Sequence, residues 1–155
     1  MKLLIALDDS PCSLGVVGYA TRFAAVPGLE IGLVHVLPNL PAMFWDEGHI
    51  LSDDEKKERK KVVDKWIADR KDKMAPAFKE AQGILEKAGI KAGQMKAKSI
   101  SDSTDVADSI LEEAKDNGYD TVLVGRCSRP SGLLPGYVAD RIVSHAKGVA
   151  VIVVG

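Results

Sequence analysis

The chain has only two cysteines, Cys12 and Cys127, and neither belongs to a CxxC pair. That excludes a disulfide framework and a cysteine-built zinc site. Charge of one sign is also missing, since 21 basic and 22 acidic residues leave a formal charge of -1. No broad electrostatic pull toward nucleic acid or an anionic membrane follows, and neither is expected as a partner. Long hydrophobic runs are absent too. The opening apolar run stops at Asp8 and Asp9, too early for a signal-peptide core or a membrane span, so a cytoplasmic location is expected. Histidine is scarce. His35 has no second His, Cys or carboxylate at ligand spacing, and His49 and His145 carry less signal still. No metal site is expected, and His35 reads as a hydrogen-bonded core residue.

What is present is a regular alternation. At 155 residues the chain suits one domain, 1–155, large enough to bury about two thirds of the surface of its unfolded form. Residues 3–7 form a short apolar run, followed by Ser10 as a helix cap and Pro11 at the first helical position. Leu14, Val17, Thr21 and Ala24 continue at helical spacing until Pro27 and Gly28. A second buried strand is expected over 31–37. It leads into a long connection carrying Met43, Phe44 and Trp45, which reads as a plug over the core or an oligomer contact.

Ser52, Asp53, Asp54 and Glu55 spell a capping box, so a long helix should start there. Pro76 predicts a kink or break in it, and Gly89 a stop. A third strand over 94–100 carries Lys96 and Lys98, which suit an exposed edge because charge there discourages pairing with other chains. Another helix is expected from about 102–104 to Asn117 and Gly118. A fourth strand, Thr121, Val122, Leu123 and Val124, runs into Gly125 and a glycine- and arginine-rich loop ending at Gly136. Then come a helical pattern (Val138, Ala139, Ile142, Val143, Ala146) and a final apolar run, 149–154, bounded by Val149 and Val154. Five strands alternating with four helical segments imply an α/β domain of doubly wound type, a parallel sheet with helices on both faces. Ligands in such folds bind beyond the carboxyl ends of the strands. Asp8 and Gly125 stand at two of those ends. A strand that enters a glycine-rich loop and then a helix is how phosphate-binding turns are built, because the helix's first amides face the anion.

Several of these segments resemble the universal stress protein family over nearly the whole chain. They are Leu4, Ile5, Ala6, Leu7, Asp8, Asp9 and Ser10; Val34, His35 and Val36; Asp120 through Gly125; Val138 through Ala146; and the final run 149–154. The resemblance implies the strand order 3-2-1-4-5, a homodimer joined through 149–154, and a site for ATP, or AMP or ADP, with Mg accompanying it. By position it places Ala6, Leu7, Asp8 and Val36 around adenine, and Gly125, Gly136, Tyr137 and Val138 near ribose and phosphate. Arg126 and Arg129 join the set on chemical grounds, since a guanidinium grips phosphate as a fork. The family's nucleotide loop reads Gly, two residues, Gly, nine residues, Gly, then Ser or Thr. Here Ser128 replaces the second glycine, the span to Gly136 is shorter, and Tyr137 follows.

Each residue also has a plain alternative. Asp8 serves equally well as a cap on the first helix. Cys12 and Cys127 follow strands one and four, which are neighbours in the inferred order. They are either two independent small side chains or a redox pair. No nucleophile, base and orienter stand at compatible positions, and no P-loop lysine precedes Ser or Thr. Catalysis is therefore not expected beyond a slow ATP hydrolysis. Two functions remain open: a nucleotide-binding stress-response module, or a family member without nucleotide that acts through protein partners or dimerisation.

Overall fold

Unbroken runs of leucine, isoleucine and valine suit strands buried on both faces, and five of them pair in parallel. In the computed structural model, which describes residues 1–38, 52–126 and 137–155, they are β1 (Lys2–Ala6), β2 (Glu30–Pro38), β3 (Met95–Ser103), β4 (Thr121–Gly125) and β5 (Ala150–Val154). They form one sheet in the order β3-β2-β1-β4-β5, as the alternation and the resemblance led us to expect.

Side-chain parity along the strands divides the core in two. Leu3, Ile5, Leu7, Ile31, Leu33 and Leu123 point to one face, where they meet Val16, Val17 and Ala20 of α1 (Pro11–Ala20) and Met74, Ala81 and Leu85 of α2 (Asp53–Lys87). Leu4, Val34, Val36, Val122 and Val124 point to the other. There they meet Ala107, Ile110 and Ala114 of α3 (Val106–Asp116), and Ala139 and Ile142 of α4 (Tyr137–His145).

Local chemistry sets most element ends. The Ser52–Glu55 capping box forms in both directions, with the Ser52 amide 2.7 Å from the Glu55 carboxylate. Gly89 and Gly118 adopt left-handed backbone (φ 97° and 64°). They close α2 and α3 with paired terminal bonds, Ile90 N to Leu85 O and Tyr119 N to Ala114 O. Two sequence expectations shift. α2 runs through Pro76 as one helix; its buried face, with Met74, Ala81 and Leu85, outweighs the lost backbone bond of about 3 kcal/mol. α3 starts at Val106 because Asp105, not a residue at 102–104, caps it by accepting from the Asp108 amide at 3.1 Å. Asp102 instead takes a left-handed conformation (φ 61°) at the end of β3. β3 is an edge strand, as its lysines suggested, and Lys98 reaches Glu113 on α3 at 2.5 Å.

Candidate functional site

The chain leaves β1 and β4 in opposite directions. These strands are paired, Leu3 with Thr121 and Ile5 with Leu123, yet β1 is followed by α1 on one face and β4 by α4 on the other. Such a divergence opens a crevice at the carboxyl edge of the sheet. Ala6, Asp8, Gly125 and Arg126 lie at that edge, with Val36 on β2, the neighbour of β1 on its other side.

Leu7 and Val36 are almost closed off by packing, at 5% and 7% exposure, whereas Ala6 and Asp8 stay partly open. Asp8 is a capping residue here. Its Oδ1 accepts from the Ser10 amide at 2.9 Å, from the Ser13 hydroxyl at 2.7 Å and from the Ser10 hydroxyl. The Asp8 amide in turn donates to Ser13 Oγ at 2.8 Å. Ser10 holds the cap position of α1 without a side-chain bond to the helix, because its hydroxyl turns back to Asp8. Beneath this turn His35 Nδ1 lies 2.8 Å from the Leu7 carbonyl oxygen, a hydrogen-bonded core histidine as expected.

Gly125 has a packing role. Its backbone is not left-handed. A side chain there would point at α1: a Cβ would stand 3.1 Å from Val16 Cγ2 and 3.7 Å from Cys12 Cβ. The missing side chain therefore lets the first turn of α1 pack against the end of β4. Arg126 follows, its amide donating to the Val154 carbonyl oxygen at 2.8 Å. Its guanidinium is ion-paired with Asp140 in the first turn of α4. Tyr137 opens α4 and is 47% exposed, while Val138 packs inward on the α3–α4 face. Arg129 and Gly136 lie outside the described residues, as do Cys127, Ser128, the Met43–Phe44–Trp45 trio and His49.

A charged cluster beside Tyr137 was not foreseen. Arg141 pairs with Asp105 at 3.0 Å and Asp108 at 3.4 Å, and stands 5.8 Å from the centre of the Tyr137 ring. His145 Nδ1 lies 3.1 Å from Asp108 Oδ1. Desolvation opposes the Arg141 charge, but Asp105, Tyr137 and Asp108 together hold its pKa above the ordinary value. The cluster fastens α4 to α3. Among the described residues, Arg141 Nε is the one buried side-chain nitrogen or oxygen without a hydrogen-bond partner. Its helical spacing from Tyr137 and His145 was the only sequence signal available.

A separate cleft of about 430 Å³ lies near the amino ends of the strands, lined by Gly32, Lys96, Lys98, Glu113, Asn117 and Tyr119 among others. It is remote from Asp8 and Gly125. Burial, followed by Glu113 and Glu30, pushes the Tyr119 phenol above its usual pKa. Among the described residues no three His, Cys, Asp or Glu side chains are grouped to hold a metal ion, and no helix is long and apolar enough to cross a membrane.

The model of the Universal stress protein family matches residues 1–154. No curated protein matches the chain. Among solved structures, hypothetical protein MJ0577 is 19% identical with a TM-score of 0.69, covering 99% of this chain and 96% of that one. A universal stress protein in complex with cAMP is 18% identical with a TM-score of 0.65, covering 100% and 97%. The universal stress protein from Archaeoglobus fulgidus in complex with dAMP is 19% identical with a TM-score of 0.58, covering 100% and 98%. At these identities the structural likeness establishes the shared fold.

Proposed function

The chain belongs to the universal stress protein family, and from that premise we propose that it binds ATP, or a related adenine nucleotide, at the crevice between the ends of β1 and β4. The observation that carries this is the placement of Ala6, Asp8, Gly125 and Arg126 at one topological switch point, where doubly wound sheets take their ligands. Two members of the same fold are complexes with cAMP and dAMP, which supports adenine as the recognised base.

The described residues suit such a ligand in specific ways. Ala6 and the Asp8 turn offer partly open surface to a base, and Arg126 supplies an exposed cation for phosphate. The start of α4, at Tyr137 and Val138, presents helix-terminal amides on the other side. Gly136 and Arg129 lie outside the described residues and enter this reading from the sequence alone. Mg enters with the phosphates. The protein works as a cytoplasmic homodimer joined through β5 and signals through protein partners rather than by fast catalysis.

A nucleotide-free interaction module is the second reading. It is favoured by two engagements within the site: Arg126 is already paired with Asp140, and Asp8 Oδ1 already accepts from the α1 turn. Mass spectrometry of small molecules released from the purified protein separates the two. Adenine nucleotide at a substantial fraction of the protein concentration is expected, and its absence together with no uptake from added ATP would leave the interaction module.

A further inference from the structure

On the α3 side of the sheet, Ala107, Ile110 and Ala114 pack over Leu4, Val34 and Val122. That cover stops short of the edge strand. Lys96 and Lys98 of β3 sit in register with Gly32 and Val34 and share their face, yet both stay exposed. Gly32, between Leu4 and Lys96 across the strands, adds no side chain of its own. The cleft of about 430 Å³ is the result, and its volume falls in the range of about 300 to 1,000 Å³ common for small-molecule sites.

The polar groups of this cleft are unequally engaged. Glu113, whose side chain is only 10% exposed, is neutralised by Lys98 at 2.5 Å. Asn117 donates its side-chain amide to the Glu113 carbonyl oxygen at 3.1 Å. Lys2, which stands 5.3 Å from the centre of the Tyr119 ring, is paired with Glu30 at 3.8 Å. Two groups are left over. Lys96 makes no ion pair among the described residues, and the Tyr119 hydroxyl makes no hydrogen bond there, although its ring is fixed in the space that a Gly32 side chain would take. The cleft therefore carries one unmatched positive charge and one unmatched neutral donor beside an apolar floor of Leu4 and Val34.

We propose that this cleft is a ligand site in its own right, for a small organic carboxylate with a flat apolar body. Lys96 and the Tyr119 hydroxyl hold the carboxylate, and the body lies against the ring of Tyr119 and the lysine stems. One unmatched cation suits one negative charge. A phosphate dianion would bring a second charge toward Glu113 with nothing to offset it, and an ammonium would meet Lys96 while Glu113 is already occupied by Lys98. The cleft lies at the opposite end of the strands from the β1–β4 crevice, so the proposal does not rest on the nucleotide reading.

The test is a chemical-shift titration of the full ¹⁵N-labelled chain with benzoate. Benzylamine and phenyl phosphate run in parallel, keeping the ring and changing the charged group. Benzoate should give saturable shifts centred on Gly32, Lys96, Lys98, Glu113 and Tyr119, with an affinity on the order of millimolar for so small a ligand, and should leave Gly125 and Arg126 unmoved. Lys96→Ala should weaken binding about tenfold, and Tyr119→Phe, which keeps the ring over Gly32, about fivefold. Lys57→Ala makes the same charge change on the exposed part of α2 and should have no effect. Unsaturated shifts spread over the surface, an equal response to benzylamine, or full affinity in Lys96→Ala overturns the site. Tighter binding of phenyl phosphate than of benzoate overturns the carboxylate assignment. Titration with MgATP reads the nucleotide proposal separately, through Gly125 and Arg126, so either can fail without the other.

Discussion

Arg126 and Asp140 form an ion pair across the mouth of the candidate site, the guanidinium just past β4 and the carboxylate in the first turn of α4. Their side chains are 56% and 57% exposed, so water screens the pair and its worth to stability is under about 1 kcal/mol. Its importance is electrostatic competition. A phosphate arriving at Arg126 must displace or share that carboxylate. Asp140→Asn should therefore tighten MgATP binding by up to about fivefold with little change in melting temperature, and Arg126→Ala should weaken it. Paired calorimetric titrations check both directions.

Gly125 holds α1 against β4. Gly125→Val should push Val16 away, since even a single added carbon would stand 3.1 Å from its Cγ2. Overpacking of this kind costs about 1 to 3 kcal/mol. Thermal denaturation should show the loss, and nucleotide affinity should fall with it because the α1 turn carrying Asp8 is displaced.

Gly32 is the floor under Tyr119. A Cβ at Gly32 would lie 2.2 Å from the Tyr119 hydroxyl oxygen and 2.6 Å from the ring carbon bearing it, too close for the ring to stay. Gly32→Ala should destabilise the fold by about 1 to 3 kcal/mol, and adding Tyr119→Leu should recover part of that loss. Denaturant unfolding of the two variants and the parent measures the coupling.

Tyr119 also makes stability depend on alkaline pH. Its phenol is raised above its ordinary value of 10.0, chiefly by burial and then by Glu113 and Glu30, so the folded state favours the protonated form. That contribution is fully present below the unfolded pKa of about 10 and is lost as pH rises through the higher folded value. Melting temperature should drop as pH rises past about 10, and Tyr119→Phe should flatten the drop. An unchanged slope in the variant assigns the drop to other groups.

Much of this architecture was legible in the sequence because its causes are local. The Ser52–Glu55 box, the glycines closing α2 and α3, and the apolar strand runs each act within a few residues. Pro76 does not break α2 because its local penalty is outweighed by burial of residues on either side of it, a tertiary effect. The candidate site was legible only in outline. Asp8 and Gly125 stand at the strand ends where the alternation placed them, but their contacts depend on how the helices dock. Arg126 meets Asp140 fourteen positions away, and Asp108 meets Arg141 and His145 more than thirty positions away. No periodicity encodes such pairs. The packing of Gly125 against Val16 and Cys12 likewise depends on how α1 docks on β4.

The edge at β5 offers a test of assembly. Ala150 donates to the Asp120 carbonyl oxygen and the Val154 carbonyl oxygen accepts from Arg126, so the even-numbered residues of β5 bond toward β4. Val151 and Val153 then turn their amides to the open edge. Val153→Pro removes one edge donor without touching the β4 ladder and is tolerated at an edge position. Light scattering after size exclusion should show a dimer for the parent chain and a folded monomer for the variant. A variant that stays dimeric would move the interface away from β5.

The central claim is that this family member retains a nucleotide site at the β1–β4 crevice despite Ser128 and Tyr137. Calorimetric titration of the reduced chain with MgATP tests it most directly, with Arg126→Ala alongside. The account predicts saturable heat at submillimolar ATP and a weaker curve for the variant. No heat up to millimolar ATP would contradict it.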